Sequence, residues 1–350
     1  SGERVNVDEF YARSRQLVAG TCVGIGQGHI GIQDNIYDWV IIDEAARSIA
    51  SELAIAMQSA RRILLVGDHL QLPPLYSDAH KAALARKLGI NSSRTEIDEL
   101  LRSDFARAFN STYGKQASAA LLTQYRMAPP IGSLVSKTFY EGKLRNGVRT
   151  IPDVYQHAPP ALHSIVTWLD TSPQGQRAHH LEDRGTSIYN RCEADQIISV
   201  LKQVSENIDF VAKLSNLTSK DEPAIGVICM YAEQKKLLRQ KFNQEIWSDG
   251  FKDIVKIDTV DSYQGKENRI IILSLTRSDK KHSPGFLRAP NRINVAMSRA
   301  MDRLLIVGNA DIWKGNNKEL PLGSVVRYMT ESGEKAGYKF ISAEQGGKRK

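Results

Sequence analysis

Short, continuous apolar runs that stop abruptly in polar or glycine-containing turns set the fold class of this chain. Trp39-Val40-Ile41-Ile42 ends in Asp43-Glu44, and Ile63-Leu64-Leu65-Val66 ends in Gly67-Asp68. Ala224 to Met230, Arg269 to Leu275 and Leu304 to Val307 have the same form. Runs without polar alternation suit strands covered on both faces. The segments between them read as helices, near Glu52 to Gln58 and over the lysine-rich Glu233 to Asn243. Strands alternating with helices predict an α/β fold with parallel sheets. In open sheets of that kind, ligands bind just past the strand ends.

A chain of 350 residues predicts two domains. The expected division is 1–122 and 123–330, followed by a frayed tail over 331–350 that ends Gly-Gly-Lys-Arg-Lys. Pro129-Pro130 reads as a turn near the boundary. The stretch from Asp153 to Arg184 is rich in Pro, Gly and His around one strand-like run, His163 to Trp168. With 41% hydrophobic and 25% charged residues, disorder is excluded. No apolar run reaches the roughly 18 residues of a membrane span, so no membrane partner is expected. The beginning lacks a signal-peptide profile. Three cysteines, Cys22, Cys192 and Cys229, are too dispersed for a disulfide framework or zinc knuckle and suit a reducing, cytoplasmic setting. A net charge of +8 favours a polyanionic partner.

Five groups of residues carry possible chemistry. Asp43 and Glu44, at the end of a buried strand, need a counter-charge. Either Mg²⁺ held by one or two carboxylates supplies it, or the pair caps the following helix. Gln71, in Gly67-Asp68-His69-Leu70-Gln71-Leu72-Pro73-Pro74, can donate and accept, and so could sense a phosphate or orient a water. The bland reading is a proline-stiffened turn, with His69 structural. In Gln124-Tyr125-Arg126-Met127, Arg126 offers a planar fork for phosphate and Tyr125 a flat face for a base. The fourth group is Asp258 to Glu267. The fifth is Asn291 to Ala300, a short helix presenting Arg292 and Arg299 to ligand or to solvent.

Taken in order, these groups resemble a superfamily 1 helicase of the 5′-to-3′ branch, the type of the nonsense-mediated-decay RNA helicase and its DNA-acting relatives. The likeness runs from about Val18 to Gly308. It starts at Gly20-Thr21-Cys22-Val23-Gly24-Ile25-Gly26, similar to motif Ic, and includes Asp43-Glu44-Ala45-Ala46 and Gly67 to Pro74 as motifs II and III. Phe139 to Leu144 and Asn190-Arg191-Cys192-Glu193-Ala194 are further signatures. Val260 to Glu267 and Asn294 to Ala300 resemble motifs V and VI. The resemblance implies two RecA-like domains clamping ATP and Mg²⁺, the first domain incomplete. Asp43 would hold the metal, Glu44 activate water, and Gln71, Arg126 and Arg299 act at the γ-phosphate. Tyr125, Gly265, Glu267 and Arg292 would bind the nucleotide. Thr21, Val23, Tyr231 and Thr259 would hold single-stranded DNA or RNA. The oligomeric state is left open by the sequence, a monomer being favoured.

Several positions depart from the pattern. No Gly-x-x-x-x-Gly-Lys-[Ser/Thr] phosphate loop occurs, and Gly24-Ile25-Gly26-Gln27-Gly28-His29 lacks its lysine. The expectation is a fragment that hydrolyses ATP negligibly by itself, within a parent that is an ATPase. A catalytically silent nucleic-acid-binding or scaffold module is the alternative. Arg47 replaces a customary Gln, Ala128 a His, and Cys229-Met230-Tyr231 a Thr-Pro-Tyr, which weakens that phosphate contact.

Overall fold

The computed structural model describes residues 7–30, 37–89, 103–182, 187–218, 222–263, 265–279, 281 and 283–343. The chain divides into two compact units, Ser1–Ala120 and Leu121–Lys350. Both apolar runs of the first unit form strands, β1 (Tyr37–Ile42) and β2 (Ala60–Leu65). They pair in parallel, from Tyr37 opposite Ala60 to Ile42 opposite Leu65. A parallel pair needs a crossover, and helix Ala50–Met57 supplies it. That helix turns Leu53 and Ala56 into a small core with Ile42, Ala45, Ala46 and Phe105. The sheet's remaining surface is bare: Ile41 is 65% exposed and Trp39 52%, with Ile63 and Leu64 also exposed. Parallel sheets are ordinarily covered on both faces.

The second unit is built on a six-stranded, wholly parallel sheet. Its strands in chain order are β5 (Val166–Asp170), β8 (Ile225–Cys229), β9 (Val255–Thr259), β10 (Asn268–Ser274), β11 (Ala300–Gly308) and β12 (Tyr338–Ser342). Their spatial order is β12-β5-β11-β10-β8-β9. Every residue of β8 is buried, as are nearly all of β10 and β11. Two short pairs stand apart: β3 (Thr123–Gln124) beside β4 (Arg145–Asn146), and β6 (Leu181–Glu182) antiparallel to β7 (Ile188–Tyr189). Helix Arg191–Glu206 covers one face with Ala194, Ile197, Ile198, Leu201 and Val204, the three-and-four spacing of an amphipathic helix. Asn190 caps it, its Oδ1 accepting from the Glu193 amide at 3.0 Å. This is the RecA-like α/β fold. Among the described residues no helix is long and apolar enough to cross a membrane.

Two expectations need correction. Pro129 and Pro130 do not form a turn; they open helix Pro129–Phe139 at positions where a missing N–H costs nothing. The segment after 330 is not frayed up to Ala343. Helix Pro321–Ser332 leads into β12, which pairs with β5 from Tyr338 opposite Val166 to Ser342 opposite Asp170. Tyr338 is 3% exposed and its hydroxyl donates to the Pro130 carbonyl at 2.7 Å, while Phe340 stacks on Trp168. The tail's Gly and Lys content conceals that short β-rich run. Residues 344–350 lie outside the described residues. Truncation after Ser332 should therefore cost at least about 3 kcal/mol, from the lost Tyr338 and Phe340 burial; a lower urea midpoint of unfolding checks this.

Candidate functional site

In the first unit the turn after β1 is braced to the turn after β2. The Val66 amide donates to the Ile42 carbonyl at 2.8 Å, and the Ala45 amide to the Val66 carbonyl at 2.9 Å. Between them Glu44 sits at φ 53°, ψ 31°, left-handed backbone that a glutamate rarely adopts. The Asp43 carboxylate accepts from the Glu44 amide at 2.9 Å, which helps hold the turn. Ala45 and Ala46 are buried, and Gly67 packs against them. A Cβ on Gly67 would lie 2.9 Å from the Ala46 nitrogen. Asp68 then receives the Leu70 amide at 2.9 Å and the Gln71 side-chain amide at 2.8 Å. Asp43, Glu44 and Gln71 are thus set by one interlocked pair of turns. His69 packs its ring on Phe109 at 4.8 Å, a structural placement. A cleft of about 640 Å³ opens beside Glu44, lined by Arg47, Ile49, Glu52, Tyr76 and His80 among others.

Gly24 and Gly26 serve packing. Cβ atoms there would strike Thr21 Oγ1 and Ile55. Thr21 caps helix Cys22–Ile25, accepting from the Gly24 amide at 3.0 Å, and Val23 is 53% exposed on that helix.

In the second unit the candidate residues fall at opposite ends of the sheet. Arg126, which follows β3, gives its Nε to the Glu267 carboxylate just before β10. Arg299 lies just before β11. Tyr231 and Thr259 stand instead at the carboxyl ends of β8 and β9. Asp43–Glu44 and Thr259 thus lie at carboxyl ends of strands, whereas Arg126 and Glu267 lie at the opposite end of the second unit's sheet. Arg126 keeps about a third of its side chain exposed, and Tyr125 is 68% exposed with its ring against Gly147. Gly265 takes φ 74°, turning the chain into Glu267, while Gln264 lies outside the described residues.

Three further candidate residues have their partners within the second unit. Arg299 is 2% exposed and donates to the Val295 and Lys266 carbonyls and to Ser298. It braces the helix Pro290–Ser298 against the turn before β10, because it lies at the buried junction of helix and strand. Arg292 sits at the other end of that helix, about 10 Å away by helical rise. It pairs with Asp261 at 3.3 Å and lies over Phe286, apart from Glu267. Tyr231 is 4% exposed: its hydroxyl accepts from Arg277 Nε and its ring faces Phe286 at 5.6 Å. A covered ring offers a base no face. Phe286, 41% exposed, is the ring left visible there, and no motif pointed to it.

Within the signature Asn190 to Ala194, Asn190 and Glu193 form a buried polar hub, while Arg191 is exposed and Cys192 half-buried. Glu193 Oε2 accepts from Ser274 Oγ and the Thr276 amide, both at 2.7 Å. Asn190 Nδ2 donates to the Thr276 carbonyl at 3.0 Å, and Gln234 joins Asn190 to Ser274. Both peptide groups of Thr276 are gripped, which holds a β-branched residue at φ 70°. Burial pushes the Glu193 carboxyl up to about 8, against the lowering effect of those donors.

A family model described as AAA domain, AAA_12, matches residues 100–311, and a second AAA domain model, AAA_11, matches residues 3–78. The chain belongs to this AAA-domain family of superfamily 1 helicases, the nonsense-mediated-decay type. It is 32% identical over 307 residues to the ATP-dependent helicase upf1 of Schizosaccharomyces pombe, covering 86% of this chain and 29% of that protein. Helicase sen1 of the same yeast is 28% identical, with 89% and 17% covered. The human DNA replication ATP-dependent helicase/nuclease DNA2 is 30% identical, with 86% and 27% covered. The chain thus spans under a third of each of these relatives.

The Glu193 carboxyl has a testable consequence. A carboxyl raised in the folded state binds its proton more tightly there than in the unfolded chain, so its stabilising effect is complete at low pH and lost as pH rises towards 8. Glu193→Gln, a neutral mimic, should flatten the fall of the urea midpoint between about pH 4.5 and 8. Parallel midpoint–pH curves for the two proteins would exclude the assignment.

Proposed function

We propose that this chain is the motor portion of an ATP-dependent helicase or translocase moving on single-stranded nucleic acid. The observation that carries the reading is the turn after β1, where Glu44 is held in left-handed backbone and keyed to the loop of Gln71. Such strain gathers at reactive sites, where neighbouring contacts over-determine it. The donor set fits ATP with magnesium. Asp43 offers hard carboxylate oxygen, and among the described residues no group of three or more His, Cys, Asp or Glu forms an all-protein metal cage. Magnesium is ordinarily held by one or two carboxylates together with substrate phosphates.

Magnesium bound there would neutralise phosphate charge, and Asp43 would hold it; Glu44 would take a proton from the attacking water, which Gln71 would orient. Arg126 supplies a guanidinium to charge developing on the transferred phosphoryl group, exchanging its Glu267 partner for phosphate. Tyr125 offers its exposed face to the base. Thr21 and Thr259 can donate hydroxyls to a phosphate backbone, and Phe286 beside Arg292 can stack on a base. Contacts of these types follow a strand without reading its sequence.

The test is nucleic-acid-stimulated ATP hydrolysis by the full-length protein, with single-stranded DNA and RNA in separate arms. Glu44→Gln should keep ATP binding and lower turnover at least about 100-fold. Persistent turnover would remove Glu44 as the water-activating group. Phe286→Ala should weaken oligonucleotide affinity by about 1–3 kcal/mol, read by fluorescence anisotropy, with ATP affinity unchanged. The lack of a phosphate-loop sequence in these 350 residues favours one competing reading, a silent binding module. Nucleic acid binding by the full-length protein without any turnover is its signature.

A further inference from the structure

The second unit buries a charged cluster that none of the helicase motifs includes. Asp302, in β11, has no exposed surface. Its Oδ1 accepts from Arg149 Nη2, and its Oδ2 receives the Tyr155 hydroxyl at 2.9 Å and Arg269 Nη1 at 3.4 Å. The side chain of Arg149 is only 10% exposed. A buried carboxylate needs such partners, so the pairing is required electrostatically. What Arg149 does with its other nitrogen is not required by that pairing. Its Nη1 donates at once to the main-chain carbonyls of Arg126 and Met301. The Met301 carbonyl also accepts the Ala128 amide at 2.7 Å.

The loop Gln124–Ala128 is therefore sewn to the start of β11 by two stitches, and Arg149 is the one that grips the peptide of Arg126 itself. Gln124 closes the loop from within, its side chain meeting the Met127 amide at 2.7 Å and carbonyl at 3.0 Å. We propose that Arg149 is a positioning residue for Arg126. By anchoring its backbone to β11, Arg149 fixes where the Arg126 guanidinium points. The inference rests on the reading of Arg126 as a phosphate-facing group. The planar fork reaches the two carbonyls from one nitrogen and the carboxylate from another; an ammonium carries three donors on a single atom at the end of a shorter stem and cannot hold the same fixed geometry.

Arg149→Lys in the full-length protein separates the two duties, since it keeps a cation for Asp302 and loses the fork. We expect the nucleic-acid-stimulated kcat to fall about 10- to 100-fold, the scale of a misplaced catalytic group. Oligonucleotide affinity should stay nearly unchanged, and any fall in the urea midpoint should be the same in the wild-type and Arg126→Ala backgrounds. In an Arg126→Ala background, read by single-turnover hydrolysis, the same substitution should change the rate less than about twofold, because nothing is left to position. A wild-type kcat for Arg149→Lys, or an equal proportional loss in both backgrounds, overturns the proposal. If the lysine variant fails to fold, Arg149→Met with Asp302→Asn removes both charges and is read in the same two backgrounds. Full turnover by Arg126→Ala alone would defeat the phosphate-facing reading, and this inference with it, before Arg149 is touched.

Discussion

Backbone hydrogen bonding between parallel strands that are buried on both sides governs what the second unit can do. In β8, and in β10 and β11 beyond the register shift near Asn268, the positions are committed to the ladder or to packing on either face. Reactive side chains can then sit only where the ladder starts or stops. The chain uses both rims. Thr259, Phe286 and Arg292 belong to one, and Arg126 and Glu267 to the other. Helix Pro290–Ser298 runs between the rims, with Arg292 near its start and Arg299 just past its end.

The interior is unusually rich in charge for a region so dry. Glu193 and Asp302 are both fully buried, and they are handled by opposite means. Glu193 is surrounded by neutral donors and keeps its proton more readily than an exposed carboxyl. Asp302 is surrounded by Arg149 and Arg269. Each carboxylate joins segments distant in sequence: Glu193 ties a helix start to the end of β10, and Asp302 ties β11 to Arg149, Tyr155 and Arg269. Polar groups without solvent leave little tolerance in geometry. Here they fix loops, whereas the apolar core fixes layers.

Much of the fold was legible because the apolar runs are uninterrupted. The strands after Asp38, Arg62 and Arg303 could not be read another way, and the acid pair was marked by its abrupt position at the end of one of them. The ordered motifs also led to the family. What escaped were features that depend on who covers whom. Tyr231 looks like an open aromatic until Phe286, more than fifty positions on, is laid over it. Arg299 has the composition of a phosphate ligand, yet its burial follows from the helix–strand junction. Arg149 carried no local signal, because its importance lies in carbonyls contributed by Arg126 and Met301. β12 was hidden by the polar residues around it.

The contact between Ala46 and Gly67 has a mechanical corollary. Two loops so close that a Cβ on Gly67 would lie 2.9 Å from the Ala46 nitrogen have no compressible side chain between them. A sub-ångström displacement of the loop bearing Gln71 cannot be absorbed by side-chain flexing, and must be handed on to the peptide of Glu44. The first unit thus contains a rigid linkage, in which the loops carrying Gln71 and Glu44 shift together or not at all.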